Sequence, residues 1–596
     1  MLDPREEYAK RLEIHEATIA RRERQHIRLG NAKLVVVAAA IILLGLIFAK
    51  HASAYWLILP AGIYAALAIL HEQVIRARDH AETAAAFYRL GFARMEDRWS
   101  GKGASGERFR DPKHVYADDL DLFGRGCLFE LLSIARMPMG ENRLAEWLMS
   151  PSPVQAIVER QGLVAELRPK LDLREDLAVT GKDVAARLNP ESLIKWAEEK
   201  STLGGPAMRI VAAAMASAGA ASLLYYLYTA NYWPILGVVI VEAILFGRLR
   251  KRATALISEV NCNAEGVEFF SRILQRVELE SFASHRLQHL LGELKQGPEP
   301  ASRAIRRFAR IVYWIDGHGS LIAKILDIFM LYTIQTALAA EAWRKRHGPR
   351  MRIWIDAIAE IEALLSLATY SFEHPAEPFP EFADAAGSLP CFLGEDLGHP
   401  LIPAAQCVRN SVRLDANTRV LLVSGSNMSG KSTLLRTVGI NAVLAMAGAP
   451  IRGKSLRLAP LSLGTRLRSA DSLQEGRSTF YTEVLRIRQV LDLTHGGETP
   501  VLFLFDELLD GTNSHDRQIG ADGLVRAFLE RGAIGIVTTH DLALTEMAES
   551  VGASVRNVHF EDRVENGQMR FDYKLRDGVV TKSNALELMR LAGLDV

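Results

Sequence analysis

The sequence predicts an α/β domain at the carboxyl end of the chain and, upstream of it, an all-α region that carries two hairpins of apolar helices. The α/β domain is indicated by short apolar runs of strand length after residue 400, one of which leads into a glycine-rich turn and a helical stretch. The hairpins are indicated by four longer apolar runs that occur in two pairs. At 596 residues the chain has room for several domains.

The four apolar runs predict two membrane hairpins. The first pair is Leu34–Ala49 and Tyr55–Leu70, and the second is Ile210–Ala230 and Trp233–Phe246. Spanning a bilayer takes about 20 residues, and the first, second and fourth runs are at or below the lower limit of about 17. The alternative is a pair of hairpins buried inside a helical protein. We favour membrane hairpins, because the runs have no polar face and the turns are short. Glu242 lies within the fourth run, where it needs a partner or a helix-facing position.

Basic residues flank the runs on one side only. The flanking residues are Arg21, Arg22, Arg24, Arg28 and Lys33 before the first run, Arg76 and Arg78 after the second, and Arg248, Arg250, Lys251 and Arg252 after the fourth. The turns within the pairs carry little charge, chiefly Lys50. By the positive-inside rule, all large segments then face the cytoplasm.

Further helices are expected between the hairpins and the α/β domain. Ala255–Leu294 and Ala301–His347 are interpreted as long helices separated by a Gly-Pro-Glu-Pro segment. Within the second, Ser320–Ala342 is apolar but is interrupted by Lys324 and Asp327. We interpret it as a buried, lever-like helix and not as a fifth span.

The strongest indication of function is the segment 425–433. Its residues are Gly425, Ser426, Asn427, Met428, Ser429, Gly430, Lys431, Ser432 and Thr433. It follows the apolar run Val420–Val423 and precedes the helical stretch Leu434–Met446. Glycines let backbone N–H groups turn toward phosphates, and the helix N-terminus adds the positive end of a dipole. Lys431 can reach the β- and γ-phosphates, and Ser432 can supply a hydroxyl to Mg²⁺. The segment therefore predicts a nucleoside triphosphate site.

Two later apolar runs end in polar residues that suit phosphate chemistry. Val501–Phe505 ends in Asp506 and Glu507. A carboxylate in the position of Asp506 can hold Mg²⁺ through its water shell, and Glu507 can polarise the attacking water. Ala533–Thr539 ends at His540, which can sense the γ-phosphate or orient water. A structural role is the alternative for a single histidine at the end of a strand.

Together these segments resemble the ATPase domain of the MutS family, within the ABC-type superfamily. Asn427 and Met428 give the loop its MutS form, which differs from the form usual in ABC transporters. The other resembling segments are 476–480, 506–513, 539–540 and 581–593. In the family, the serine that corresponds to Ser478 reaches the nucleotide of a dimer partner. The resemblance implies an ATP hydrolase that uses ATP and Mg²⁺ and forms a homodimer through its ATPase domains.

Weaker resemblance to the MutS core extends upstream to residue 115. The expected domains are a charged N-terminal helix at 1–33, transmembrane hairpin 1 at 34–70, a helix and linker at 71–113, the first part of a helical MutS-like core at 114–207, transmembrane hairpin 2 at 208–250, the second part of the lever-like core at 251–375, a linker at 376–397 and the ATPase domain at 398–596. The resemblance also suggests that an aromatic or histidine side chain contacts adenine. His399 and Tyr573 are the nearest candidates, although both also fit ordinary packing.

The sequence departs from the family at several positions. We expect no mismatch-reading domain, because the residues before 115 leave no room for one. Asp510 replaces an arginine and Asn513 a serine or threonine where the dimer partner is expected. Arg466 and Arg468 are interpreted either as interface or nucleotide-loop charges or as charges on a solvated loop.

The composition of the chain bears on nucleic-acid and metal binding but does not identify the function. The net charge of +1 provides no general basic field for nucleic acid, and the basic stripe at 303–310 fits either phosphate contact or a solvated face. The four cysteines have no metal-like spacing.

We expect a membrane-anchored, MutS-like ATPase in the inner membrane of a bacterium that moves a helical core and acts on DNA in a mismatch-repair-like or recombination-related process. The alternative is ATP-driven transmission of movement to a membrane or protein partner, without DNA. Classical mismatch repair is disfavoured by the missing reader domain.

Overall fold

The computed structural model describes residues 3–180, 188–199, 203, 206–260, 262–383, 390–426, 428–467, 479–496, 499–510, 512–540, 542–565 and 568–580. The chain forms two compact units. The first contains Met1–Gly91, Ala135–Glu141 and Lys170–Glu362, and the second contains Phe92–Ile134, Asn142–Pro169 and Ala363–Val596.

Helices account for most of the described chain before residue 376, and further helices lie among the strands after it. Their bounds are α1 Pro4–Phe48, α2 Ile58–Met95, α3 Leu128–Leu132, α4 Pro138–Met149, α5 Val154–Leu167, α6 Leu171–Val179, α7 Pro190–Glu198, α8 Pro206–Thr229, α9 Trp233–Glu259, α10 Ala264–Glu278, α11 His285–Lys295, α12 Ala301–Asp316, α13 Leu321–Met330, α14 Tyr332–Glu373, α15 Lys431–Ala447, α16 Thr479–Gly496, α17 Ser514–Glu530 and α18 Met547–Val551.

In the part of the chain that the structure describes, the strands all follow residue 380. Their bounds are β1 Glu381–Phe382, β2 Phe392–Leu397, β3 Asn410–Leu414, β4 Val420–Ser424, β5 Ser455–Leu458, β6 Ser462–Arg466, β7 Val501–Phe505, β8 Ile534–Thr539, β9 Val555–Glu565 and β10 Gln568–Asp577.

The first unit contains the apolar helices. Helix α1 runs unbroken from the charged N-terminal segment through the first apolar run, and the side chain of Asp3 caps its start by accepting from the backbone N–H of Arg5. Many apolar side chains of α1, α2, α8 and α9 are exposed. By length and composition, three helical segments in the described part of the chain could cross a membrane: Pro4–Phe48, Ala54–Met95 and Ala207–Thr229. The apolar part of α9, Trp233–Gly247, is shorter. Glu242 is buried on α9, and its Oε1 has no hydrogen-bond partner among the described residues.

The prediction of one buried helix over Ser320–Ala342 is wrong. The segment forms α13 and α14, which are bent by 84° relative to each other. Leu331 lies between them with a φ of 51°, and Ser320 caps α13 by accepting from the backbone N–H of Ala323. Leu321, Ile325 and Ile328 are exposed, so α13 is not buried.

The two expected long helices are also divided. Residues 255–294 contain the end of α9, all of α10 and most of α11. The side chain of Asn263 accepts from the N–H of Gly266 and so caps a new helix that begins at Ala264, which the predicted long helix did not include. Residues 301–347 are divided in turn among α12, α13 and α14.

The second unit is built on a six-stranded sheet of order β10-β9-β4-β8-β7-β6, beside a four-stranded sheet of order β1-β5-β2-β3. In the larger sheet all neighbouring strands are parallel except β9 and β10. Every residue of β4, β7 and β8 is buried, as expected for parallel strands that are covered on both faces. Phe503 stacks with Phe528 of α17, and Phe505 meets the same ring edge to face.

Residues 92–134 and 142–169 also belong to this second unit. Arg160 of α5 lies over the ring of Trp147 at 3.8 Å and donates to the carbonyl of Ala447 at the end of α15. Asp119 accepts hydrogen bonds from the hydroxyl of Thr465 and the N–H of Leu467. These contacts fix the segments around the sheet whose carboxyl edge carries the candidate site.

Candidate active site

The glycine-rich loop connects β4 to α15, as the sequence predicts. Strand β4 ends at Ser424, and α15 begins at Lys431. Gly430 has a φ of 106°, and a Cβ atom there would lie 3.1 Å from Cδ1 of Tyr573, so glycine suits this position in both conformation and space. Asn427 lies outside the described residues.

Lys431 is buried and folds back over the loop. Its Nζ donates to the carbonyl oxygens of Gly425 at 2.7 Å and Ser426 at 3.0 Å, and lies 3.9 Å from Oε1 of Glu507. Burial lowers the pKa of Lys431, and the carboxylates of Glu507 and Asp506 oppose this shift. The ammonium group thus lies between the loop and the acidic pair.

The loop fits the phosphates of a nucleotide. The hydroxyl oxygens of Ser426 and Ser429 are buried without a hydrogen-bond partner among the described residues. Buried polar atoms normally have partners, and phosphate oxygens could accept from both hydroxyls. The first N–H groups of α15 also lack intrahelical acceptors and point toward the loop.

The acidic pair follows β7, as predicted, and is fixed by a residue that the sequence analysis missed. Thr538 of β8 donates from Oγ1 to Oδ1 of Asp506 at 2.5 Å and accepts from the backbone N–H of Glu507 at 2.9 Å. In the sequence, Thr538 stands out only as a hydroxyl residue at the end of a mainly apolar strand. Its contact with Asp506 depends on the register of the two strands, in which Phe505 of β7 lies opposite Val537 of β8. Glu507 has a φ of 49°, a conformation that is uncommon for a side chain of its size.

Arg466 supports the same turn from the other neighbouring strand. It donates to the carbonyl of Asp506 at 2.6 Å and pairs with Glu483 at 3.2 Å. Glu483 accepts from the N–H of Leu509 at 2.8 Å, and burial raises the pKa of this carboxyl group. The side chain of Arg466 is only 11% exposed, so the solvated-loop interpretation is wrong for this residue. Arg468 lies outside the described part of the chain.

His540 faces two carboxylates at the end of β8. Its Nδ1 lies 3.8 Å from Oε1 of Glu507, and its Nε2 lies 3.9 Å from Oδ1 of Asp510. These distances are longer than hydrogen bonds, and the side chain is half-exposed. His540 is therefore within reach of Glu507, as a residue that orients water must be.

The two departures from the family pattern have partners within the chain. Asp510 pairs with Arg517 at 3.2 Å, and Arg517 also donates to backbone carbonyls of the turn. Asn513 caps α17, because its side chain accepts from the N–H of Asp516 at 2.9 Å. The asparagine at position 513 is therefore explained by its role as the cap of α17.

Both adenine candidates line the same cleft as the loop. The cleft has a volume of about 660 Å³, and its wall includes Lys431, Ser432, Thr433, Asp506 and Glu507 along with Met428, His399 and Tyr573. His399 is buried, and its Nδ1 accepts from the N–H of Leu401 at 3.2 Å. Burial, with the nearby cations Arg436 and Arg452, lowers the pKa of His399 to about 4, so the ring is neutral near pH 7.

Ser478, Gly511 and the segment 581–593 lie outside the described residues. The cleft does bring together the loop, the acidic pair and both candidates for contact with the base. A cleft that combines phosphate-binding groups with the rings of His399 and Tyr573 can hold a nucleoside triphosphate.

Comparison with known proteins agrees with this geometry. The family model for MutS domain V matches residues 421–596. The chain is 32% identical over 260 residues to the DNA mismatch repair protein MutS of Geobacillus thermodenitrificans, which covers 42% of this chain and 27% of that protein. It is 36% identical over 204 residues to the endonuclease MutS2 of Thermus thermophilus, which covers 33% of this chain and 25% of the relative. The similarity thus spans between a quarter and a third of these relatives, and it supports a relationship to the MutS family through the carboxyl-terminal domain.

Proposed function

We propose that this protein, whose carboxyl-terminal part matches MutS domain V, is a membrane-anchored ATPase that hydrolyses ATP as a homodimer and couples hydrolysis to movement of its helical core on DNA. The observation that carries the proposal is the convergence of Lys431, Asp506 and Glu507 at one edge of the parallel sheet, in a cleft that the phosphate loop lines. Ligands of α/β proteins bind at this edge of the sheet.

The site residues divide the chemistry among them. The loop N–H groups, the two serine hydroxyls and Lys431 bind the phosphates and hold the γ-phosphate toward Glu507. Glu507 accepts a proton from the attacking water, and His540 orients that water. Ser432 and Asp506 would hold Mg²⁺, which, when bound, neutralises charge on the β- and γ-phosphates.

The base and the dimer partner complete the proposed site. His399 and Tyr573 offer their rings for contact with adenine, and the ring of His399 is neutral near pH 7. Ser478 is assigned to the nucleotide of the partner subunit by resemblance alone. Its replacement by alanine should slow turnover in a dimer that shares its nucleotides, and normal turnover in a proven dimer would argue against that arrangement.

Anchoring in the inner membrane of a bacterium is proposed from the surface of the first unit. Exposed apolar residues run along α1, α2, α8 and α9, and water is a poor solvent for a surface of this kind. Basic residues border the apolar runs on the side that we assign to the cytoplasm.

DNA is the proposed substrate because one of the similar proteins is named a DNA mismatch repair protein and the other an endonuclease. The same exposed apolar surface favours a second candidate, in which ATP drives a membrane or protein partner and no DNA is bound. The net charge of +1 does not choose between them.

The deciding experiment is the ATPase rate of the full-length protein in nanodiscs, alone and with duplex, mismatched and four-way-junction DNA. The Glu507→Gln variant provides the background rate. Stimulation by one of these DNAs supports the proposed function and identifies the preferred substrate. ATP hydrolysis that is indifferent to every DNA would overturn the DNA part of the proposal and favour the membrane or protein partner.

A further inference from the structure

We propose that α13 is an additional membrane element, which lies in the cytoplasmic half of the bilayer beside α8 and α9 with its apolar face on lipid. This inference rests on the membrane anchoring proposed above. Helix α13 belongs to the same compact unit as the apolar hairpins, but its 10 residues are too few to cross a bilayer alone.

The outward face of α13 is apolar. Leu321, Ile325, Ile328 and Met330 are all exposed, and Leu321 is exposed by 73%. Leu321, Ile325 and Ile328 recur at spacings of four and three residues, so these three share one face of the helix, whereas Met330 follows Ile328 by only two residues and lies on another side. Lys324 is also exposed there, and a lysine at a membrane surface can extend its ammonium group to the headgroups.

The other face of α13 packs on the middle of a predicted span. A Cβ atom on Gly219 would lie 1.9 Å from the carbonyl oxygen of Phe329, so the two helices approach backbone to backbone. Small residues allow such close contact between helices in membranes. Gly219 lies near the centre of α8, which places the end of α13 at the depth of the apolar core and not beyond it.

An ion pair sets the position of α13 on the cytoplasmic side of the membrane. Asp327 of α13 pairs with Arg250 in the basic segment of α9, and its Oδ1 also accepts from the N–H of Thr333 at 2.8 Å. Its carboxylate is thus fully engaged and does not face lipid unpaired. Because Arg250 flanks the fourth apolar run on the cytoplasmic side, α13 lies between this flank and the centre of α8.

Aromatic residues mark the approach to α13. Tyr313 and Trp314, at the end of α12, are exposed, and the hydroxyl of Tyr332 donates to the carbonyl of Trp314 at 2.6 Å. Tyrosine and tryptophan concentrate at the boundary between lipid and water. The chain therefore enters and leaves α13 through residues that suit that boundary.

Three single-cysteine additions test the inference in the full-length protein in nanodiscs. The positions are Leu321→Cys on α13, Ile244→Cys in the apolar run of α9 and Leu279→Cys after α10, at which the native side chains are 73%, 77% and 76% exposed. Each is treated with a charged, membrane-impermeant maleimide, and mass spectrometry of the peptides separates the added cysteine from the native ones. Labelling after denaturation shows that each added thiol is reactive.

We expect the cysteines at 321 and 244 to be labelled at least about tenfold more slowly than the one at 279, because the reactive thiolate forms only in contact with water. Fast labelling at 321 with protection at 244 would overturn the placement of α13 and leave the anchoring intact. Fast labelling at both positions would overturn the anchoring by this hairpin, and the inference with it. Protection at 321 alone would indicate that protein covers α13, which also overturns the inference.

Discussion

The hydroxyl group of Thr538 donates a hydrogen bond to Oδ1 of Asp506 at 2.5 Å. A side chain of β8 thus orients the carboxylate that follows the neighbouring strand, β7. The hydroxyl oxygen of Thr538 also accepts a hydrogen bond from the backbone N–H of Glu507. Thr538→Val removes both bonds with little change in volume, and we expect ATP turnover to fall by about 10- to 100-fold, as for other residues that orient a metal-binding group. Steady-state ATPase assays measure the change.

Thr538→Ser is the matched control, because it keeps the hydroxyl group. Its turnover should stay close to that of the wild type. Equal turnover in the valine and serine variants would show that the hydroxyl does not position the acidic pair.

Lys431→Ala should weaken ATP binding. A hydrogen bond to a charged group is worth about 1.5–3 kcal/mol, so the affinity should fall by about 10- to 100-fold. Isothermal titration calorimetry measures the dissociation constant. The control is Lys454→Ala, which removes an exposed lysine that pairs with Glu395 on the surface. Unchanged affinity in the Lys431 variant would refute the assignment of the loop.

Glu507→Gln should leave ATP binding intact and trap the nucleotide. General-base catalysis contributes about 100- to 10,000-fold, and the amide cannot accept the proton from water. Single-turnover measurements with labelled ATP separate binding from cleavage. Glu530→Gln, at the exposed end of α17, is the control for a change of one charge. Cleavage at the wild-type rate in the Glu507 variant would remove this residue from the role of base.

His399 should influence ATP binding through its ring and not through its charge. We expect His399→Phe to bind ATP better than His399→Ala, since both lose the acceptor for the N–H of Leu401 but only phenylalanine keeps a flat ring. Fluorescence titration with an ATP analogue compares the two. Equal affinities would argue that the ring does not contact the base.

The same residue predicts a pH dependence of stability. The pKa of His399 is about 4 in the folded chain, below the unfolded value of about 6.5, so protons bind preferentially to the unfolded state. The stability due to neutral His399 is therefore complete above pH 6.5 and is lost as the pH falls toward 4. Thermal unfolding between these pH values should show a smaller loss for His399→Phe than for the wild type, and parallel curves would contradict the low pKa.

Arg94 and Glu373 form a buried, two-bond ion pair in the second unit, with N–O distances of 2.6 and 2.5 Å. Removing one charge leaves the other buried without its partner, at a cost of about 3–5 kcal/mol. We expect Glu373→Gln to lower the free energy of unfolding by about this amount in denaturant titrations. Glu72→Gln removes the exposed partner of Arg76 and should cost less than about 1 kcal/mol. Similar losses in both variants would show that burial does not set the strength of the Arg94 pair.

The sequence predicted those parts of the site that local pattern determines. An apolar run, a glycine-rich turn and a helix are consecutive in the chain, and the structure has them as β4, the loop and α15. The positions of Asp506 and Glu507 also follow from the end of one apolar run.

The residues whose roles sequence reasoning did not predict act across strands. Thr538 and Arg466 contact the acidic turn from the two strands that flank β7, and only the sheet order brings them there. The break at Leu331 was missed for another reason. Leucine favours helices, so nothing in its side chain signals a left-handed backbone conformation, which the surrounding packing imposes.

The unbroken course of α1 also bears on the thickness of the lipid around it. Its apolar part, Leu34–Phe48, contains 15 residues, which at the rise of an α-helix extend about 22 Å, whereas the hydrocarbon layer of a bilayer is about 30 Å thick. Tilting would shorten the span further. In the proposed anchoring, this hydrophobic mismatch favours local thinning of the bilayer around the hairpin, and it directs the protein toward thinner regions of the membrane.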